Sequence, residues 1–187
     1  MVNELKAKLA RHLMALSYVQ GEVTLTSGRK SDYYFDCKQT ALNPEGGYLI
    51  GKLFLDLLKG SGISGVAGMT LGADPLVASV SVLSHLEGCP LPAMIIRKQS
   101  KGHGTDQYLE GLKNFQPGAT VALLEDVVTT GGTLITSAER LRAAGFKVGA
   151  VLCVLDREEG GRARLAEAGL ALAPIFTRNE LLAAARG

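Results

Sequence analysis

The residues with the most chemical potential lie between Val121 and Thr133. Val121 to Leu124 is a short apolar run of the kind that forms a strand buried in a parallel sheet. Two carboxylates follow, Glu125 and Asp126, then Val127 and Val128, then Thr129, Thr130, Gly131, Gly132 and Thr133. Leu134, Ala138 and Leu141 recur at helical spacing, and Gly145 supplies a stop. The order is therefore strand, acidic pair, hydroxyl-and-glycine loop, helix. Glycines let backbone N–H groups approach a ligand, and a helix N-terminus with unpaired N–H donors suits a phosphate. Carboxylates repel phosphate, so the acidic pair must face another part of the ligand, either vicinal sugar hydroxyls or a metal ion. A ribose 5-phosphate carries a phosphate at one end and a diol a few ångströms away.

Two other nucleotide motifs are excluded by spelling. No Lys follows Gly132, as a P-loop requires, and the dinucleotide-binding glycine pattern does not open this helix.

Other groups of interest lie before and after this stretch. Thr26 to Ser31 contains Arg29 and Lys30 and leads into Tyr33-Tyr34-Phe35, a basic turn beside an aromatic strand. Such a piece suits a planar anion, with cations for its charge and a ring for its face. Arg97, Lys98, Lys101 and His103 put four possible cations within seven positions. They open a polar, aperiodic stretch from Gln99 to Leu112, longer than the usual connection of about 4–6 residues and of lid-like length. Arg157 follows the apolar run Val148 to Leu155 and so stands at the same sheet edge as the acidic pair.

Taken together, Glu125 to Thr133, Thr26 to Phe35 and Arg97 to Gly104 resemble the orotate phosphoribosyltransferase family, a branch of the type I phosphoribosyltransferases. The resemblance spans about Thr24 to Arg157. It implies transfer of phosphoribosyl from phosphoribosyl pyrophosphate (PRPP) to orotate, giving orotidine 5′-phosphate and pyrophosphate on the route to UMP. It implies Lys101, His103 and Asp126 as catalytic residues, and a PRPP site of Arg97, Lys98, Lys101, His103, Glu125, Asp126 and Val127 to Thr133. For orotate it implies Phe35, Thr129, Arg157 and Thr26, the last standing where the family often has Lys. Thr26 can donate a hydrogen bond but not a charge. Mg²⁺ is the implied cofactor, bound mainly through PRPP and water rather than by direct protein ligands. A homodimer that shares its lid between subunits is implied as well.

Two rival readings keep the same PRPP motif. A purine phosphoribosyltransferase would not need Arg157 for a substrate carboxylate, and a PRPP-sensing regulator that binds nucleic acid could dispense with Lys101 and His103.

The elements that must position these groups alternate. A leucine stripe at Leu5, Leu9, Leu13 and Leu16 predicts an N-terminal surface helix, and Val23 to Leu25 with Tyr33 to Phe35 a hairpin-like piece. Helices are expected at Gly47 to Leu58, Pro75 to His85, Gly161 to Ala168 and Glu180 to Arg186. Strands are expected at Gly65 to Met69, Pro92 to Ile96 and Leu170 to Phe176. This predicts an α/β fold, a doubly wound, mainly parallel sheet under a small N-terminal hood. A chain of 187 residues without repeats or linkers reads as one domain over 1–187, with the hood near 1–42 and the core near 43–187.

Composition bounds the rest. A net charge of +2 gives no bulk attraction for nucleic acid. No apolar run reaches the ~18 residues of a membrane span. Glycine is abundant, 23 of 187 residues, against a usual ~7%. Cys37, Cys89 and Cys153 are odd in number and lack metal spacing, which reads as free thiols in a cytoplasmic protein.

Overall fold

A computed structural model describes residues 2–24, 30–99 and 108–184. In chain order the elements are α1 (Val2–His12), a wider π-helical turn (Leu13–Ser17), β1 (Tyr18–Thr24), β2 (Lys30–Phe35), α2 (Cys37–Ala41) and α3 (Pro44–Leu58). Then come β3 (Val66–Met69), α4 (Asp74–Leu86), β4 (Ala93–Ile96), β5 (Leu109–Glu110) and a 3-10 turn (Leu112–Asn114). The chain continues with β6 (Thr120–Val128), α5 (Gly132–Ala143), β7 (Lys147–Asp156), α6 (Gly161–Glu167), β8 (Leu172–Thr177) and α7 (Arg178–Ala184).

The main sheet has the order β5-β4-β3-β6-β7-β8. All its pairings are parallel except the short antiparallel β4–β5 edge. The chain leaves β3 toward β4 on one side and returns to β6 on the other. The order therefore reverses between β3 and β6, and open α/β sheets hold their ligands in the crevice beyond the strand ends at such a point. Strands β6 and β7 are apolar almost throughout because helices cover both faces. Ala122, Leu124, Leu152 and Val154 pack into one core cluster, with residues of α3 and α4. Val121, Leu123, Val151 and Cys153 pack into the other, with Leu134, Ala138 and Leu141 of α5.

The hood is a separate two-stranded antiparallel ribbon, β1 with β2. Alternation along β2 buries Tyr33 and Phe35 and exposes Tyr34. Leu9, Leu13, Tyr33 and Phe35 join the same cluster as Leu124 and Leu152, which ties the hood to the sheet. Asn43 caps α3, which starts at Pro44, earlier than the expected Gly47: its Oδ1 accepts the N–H groups of Glu45 and Gly46, both at 3.1 Å, and Pro44 occupies the first turn.

The structure differs from the sequence expectations in four further places. The leucine stripe of α1 does not reach Leu16, which is exposed. The π turn widens the winding there and carries Ser17 inward instead, where its Oγ lies 2.6 Å from Thr40 Oγ1. The hairpin-like piece begins earlier than Val23, at Tyr18. The stretch Gln99 to Leu112 is not wholly aperiodic loop, since Leu109–Glu110 pairs with β4. Finally, β6 continues past Leu124 to Val128, so the acidic pair belongs to the strand and does not follow it.

Candidate active site

The hydroxyl-and-glycine loop after β6 encloses a small cavity of about 170 Å³, lined by Glu125 and by Val127 to Leu134. Gly131 turns the chain into α5 with φ +75°, a conformation most side chains resist. No side chain caps α5, so the N–H donors of its first turn remain for a ligand at the helix's positive end. The loop is backed by α6. A Cβ on Gly161 would lie 2.7 Å from Thr129 O, and one on Gly131 would lie 3.0 Å from Leu165 Cγ. The close approach of α6 to this loop, through Gly161, was not visible in the sequence.

Glu125 and Asp126 stay together at the end of β6: the Asp126 N–H donates to Glu125 Oε1 at 3.2 Å, and both residues line one cavity. Glu125 shares a register position with Cys153 and is buried. Burial first, and then the charge of Asp126, push its carboxyl well above the usual carboxylate range. Asp126 is half-buried, and its Oδ1 accepts the Val127 N–H at 2.8 Å. It faces a second, larger cavity of about 420 Å³. This cavity is walled by Met69 to Gly72 at the end of β3, by Lys38 and Lys98, and by Glu125 to Val127 with Thr133. Glu125, Val127 and Thr133 line both spaces, so Glu125 stands between the smaller cavity and the larger one, while Asp126 lines the larger alone. Both lie at the switch between β3 and β6.

The cations divide. Lys98 lines the larger cavity, but the adjacent Arg97 turns to Glu110 of β5, with Nη1 3.1 Å from Oε1. Arg140 of α5 anchors this region. Its guanidinium donates to the carbonyls of Arg97 and, at 3.1 Å, Lys98, and lies 4.1 Å from the Tyr108 ring centroid. Lys38, from the start of α2, is a cavity residue that sequence reasoning missed.

Arg157 emerges at the end of β7 on the expected edge. Its side chain is only 6% exposed, with Nε 2.8 Å from Glu159 Oε1 and the guanidinium 4.5 Å from the Tyr33 ring centroid. Phe35 is covered, packed in the core cluster, so its ring serves packing in this state. Thr26, Lys101 and His103 lie outside the described residues. Cys37 and Cys153 are buried free thiols, pushed up by that burial, and Cys89 is exposed.

An uncapped helix N-terminus, a carboxylate pair of which Glu125 is buried and Asp126 half-buried, and a second cavity meet at the switch point of a doubly wound sheet, an arrangement that fits the type I phosphoribosyltransferases. No family model matches the chain. It is 47% identical over 180 residues to the orotate phosphoribosyltransferase of Nostoc sp., covering 96% of this chain and 86% of that one. It is 46% identical over 184 residues to that of Thermosynechococcus vestitus, covering 96% of each. The orotate phosphoribosyltransferase of Mycobacterium tuberculosis in complex with PRPP superposes with a TM-score of 0.80 at 32% identity, covering 95% of this chain and 98% of that one. The chain belongs to the orotate phosphoribosyltransferase family.

Proposed function

We propose that this chain carries out its family's reaction, transfer of phosphoribosyl from PRPP to orotate, with the cradle, the acidic pair and the larger cavity as consecutive subsites for PRPP. The observation that carries this assignment is the shared wall of Glu125, Val127 and Thr133 between two cavities of different size. Val127 to Thr133 take the 5′-phosphate through backbone N–H groups and threonine hydroxyls. Glu125 and Asp126 take the ribose diol. The group on C1, the diphosphate, then falls in the larger cavity beside Lys98.

The reaction breaks the bond from C1 to the diphosphate oxygen, with positive charge developing on the ribose, while an orotate nitrogen attacks from the other face. The protein's work is to hold two anions together, balance the leaving group's charge and keep water out. Lys98, with Lys101 and His103, balances the departing diphosphate, and Arg97 contributes to PRPP binding from the base of the lid. Arg157 pairs with the orotate carboxylate, supported by Thr129, Thr26 and the Phe35 edge of the hood. Among the described residues no cluster of three or more His, Cys, Asp or Glu could hold a metal. Glu125 and Asp126, the carboxylates that line the larger cavity, would face an ion carried by PRPP, and Mg²⁺ there would supply neutralising charge for the diphosphate.

The working unit is a homodimer in which the stretch 99–112 completes the neighbour's site, and each chain acts as one domain with the hood near 1–42 over the core. No helix of the described residues is long and apolar enough to cross a membrane, which suits a cytoplasmic enzyme. The deciding test is loss of orotate absorbance on adding PRPP and Mg²⁺. Consumption of PRPP with a purine base but not with orotate would overturn the assignment of Arg157 and the substrate.

A further inference from the structure

We propose that Lys38 is a substrate-binding cation of this site, which takes the diphosphate of PRPP with the ammonium donors left over from its bond to Asp36. The proposal rests on the subsite reading above and adds a residue to it. Lys38 lies in the first turn of α2, a helix that Asp36 caps by accepting the Lys38 backbone N–H at 3.2 Å. The same Asp36 Oδ1 is 2.6 Å from Lys38 Nζ. Asp36 is itself held, by its own N–H to Ser17 O at 2.9 Å and by Gln39 Nε2 at 3.3 Å. Among the described residues the ammonium is therefore tethered at one donor, with two left.

Those donors belong to a side chain that lines the larger cavity, as Lys98 does, and lies in the field of Asp126. The bond to Asp36 raises Lys38 above the ordinary lysine value, with the charges of Asp36, Asp126 and Tyr34 acting in the same direction, so it stays a cation. The cavity's floor, Met69 to Gly72, offers no positive side chain. A ligand with its phosphate in the cradle and its diol at the acidic pair puts a multiply charged diphosphate in this cavity. Among the described residues that line it, only Lys38 and Lys98 carry a balancing charge.

The test uses the full chain and two readouts, steady-state kinetics and calorimetric titration with inorganic pyrophosphate in the presence of Mg²⁺. Lys38→Met is expected to raise KM for PRPP and Kd for pyrophosphate roughly tenfold, the lower end for a charge-assisted bond because the side chain is partly exposed. KM for orotate should hold, and Lys38→Arg should restore most of the loss. Should the Met variant fold poorly, as judged by its thermal melt, Lys38→Gln carries the same comparison. Unchanged pyrophosphate affinity and PRPP KM in the folded variants would overturn the proposal, as would a rise confined to orotate. If the wild-type chain bound no pyrophosphate at all, the subsite reading would be at fault rather than Lys38.

Discussion

Gly72 lies against the Asp126 carboxylate: a Cβ on Gly72 would sit 2.8 Å from Oδ2 and 2.9 Å from both Cγ and Oδ1. No other residue type fits without moving Asp126, so the loop after β3 fixes the acid on β6. Gly72→Ala should therefore raise KM for PRPP, by roughly tenfold if Asp126 loses one good hydrogen bond to the ribose. The melting temperature should fall by only a few degrees, because the carboxylate can swing into the cavity. Kinetics equal to wild type would show that Asp126 tolerates the shift and that its placement is not critical.

The buried acid predicts a pH effect. Burial and the charge of Asp126 raise the Glu125 carboxyl in the folded chain. The folded chain then keeps a proton that the unfolded chain releases as pH rises through about 4.3. Stability contributed by Glu125 is present below that value and is lost with rising pH until the acid ionises in the folded state. Glu125→Gln has no such loss. Without ligand it should melt a few degrees above wild type near pH 8, and the gap should close toward pH 4. Its affinity for PRPP should nevertheless be lower. Parallel melting curves across this range would show that Glu125 is already ionised in the fold.

These two acids show what could be read from sequence and what could not. The sheet was legible because β6 and β7 are buried on both faces and so appear as apolar runs. The cradle was legible because its residues are consecutive. Glu125 to Val128 looked like loop because carboxylates interrupt the run, although the pairing of Glu125 with Cys153 and of Val128 with Asp156 keeps them in the ladder. Leu109–Glu110 is too short to show a period. The larger cavity was hidden for another reason. Lys38, Gly72, Lys98 and Asp126 meet only through tertiary contacts across four separate segments, and Lys38 by itself reads as an ordinary surface lysine.

Arg140 supports the backbone of Arg97 and Lys98 from α5 and stacks on Tyr108, holding together the two sides of the segment between them. Arg140→Ala should raise KM for PRPP, because Lys98 loses its backbone anchor, and leave KM for orotate nearly unchanged. Arg140→Lys should recover little, since an ammonium lacks the planar fork that reaches two carbonyls and covers a ring. A lysine variant as active as wild type would reduce Arg140 to a point charge.

Arg157 is committed to Glu159 and Tyr33 in this state. An orotate carboxylate on this guanidinium would lie close to the Glu159 carboxylate, and the two like charges repel. Arg157→Ala should raise KM for orotate about tenfold or more, while KM for PRPP moves little. Glu159→Gln should lower KM for orotate, because the competing carboxylate is gone. If Arg157→Ala raised KM for PRPP and spared orotate, the carboxylate would have to be bound elsewhere.

A lid shared across a dimer can be separated from one that serves its own subunit by mixing two damaged chains. Lys101→Ala should be nearly inactive because the diphosphate leaves poorly without a balancing cation, and Asp126→Asn should be poor because the ribose is no longer held. Lys101 lies outside the described residues, and Asp126 lies in the core of the site. When the two variants are unfolded together and refolded, heterodimers form. With a shared lid, one heterodimer site collects both defects and the other collects none, so each heterodimer regains about half the activity of a wild-type dimer. With a lid that serves its own subunit, every site keeps one defect. A mixture that performs as the plain average of its parents would therefore rule sharing out, and a rise well above both parents establishes it.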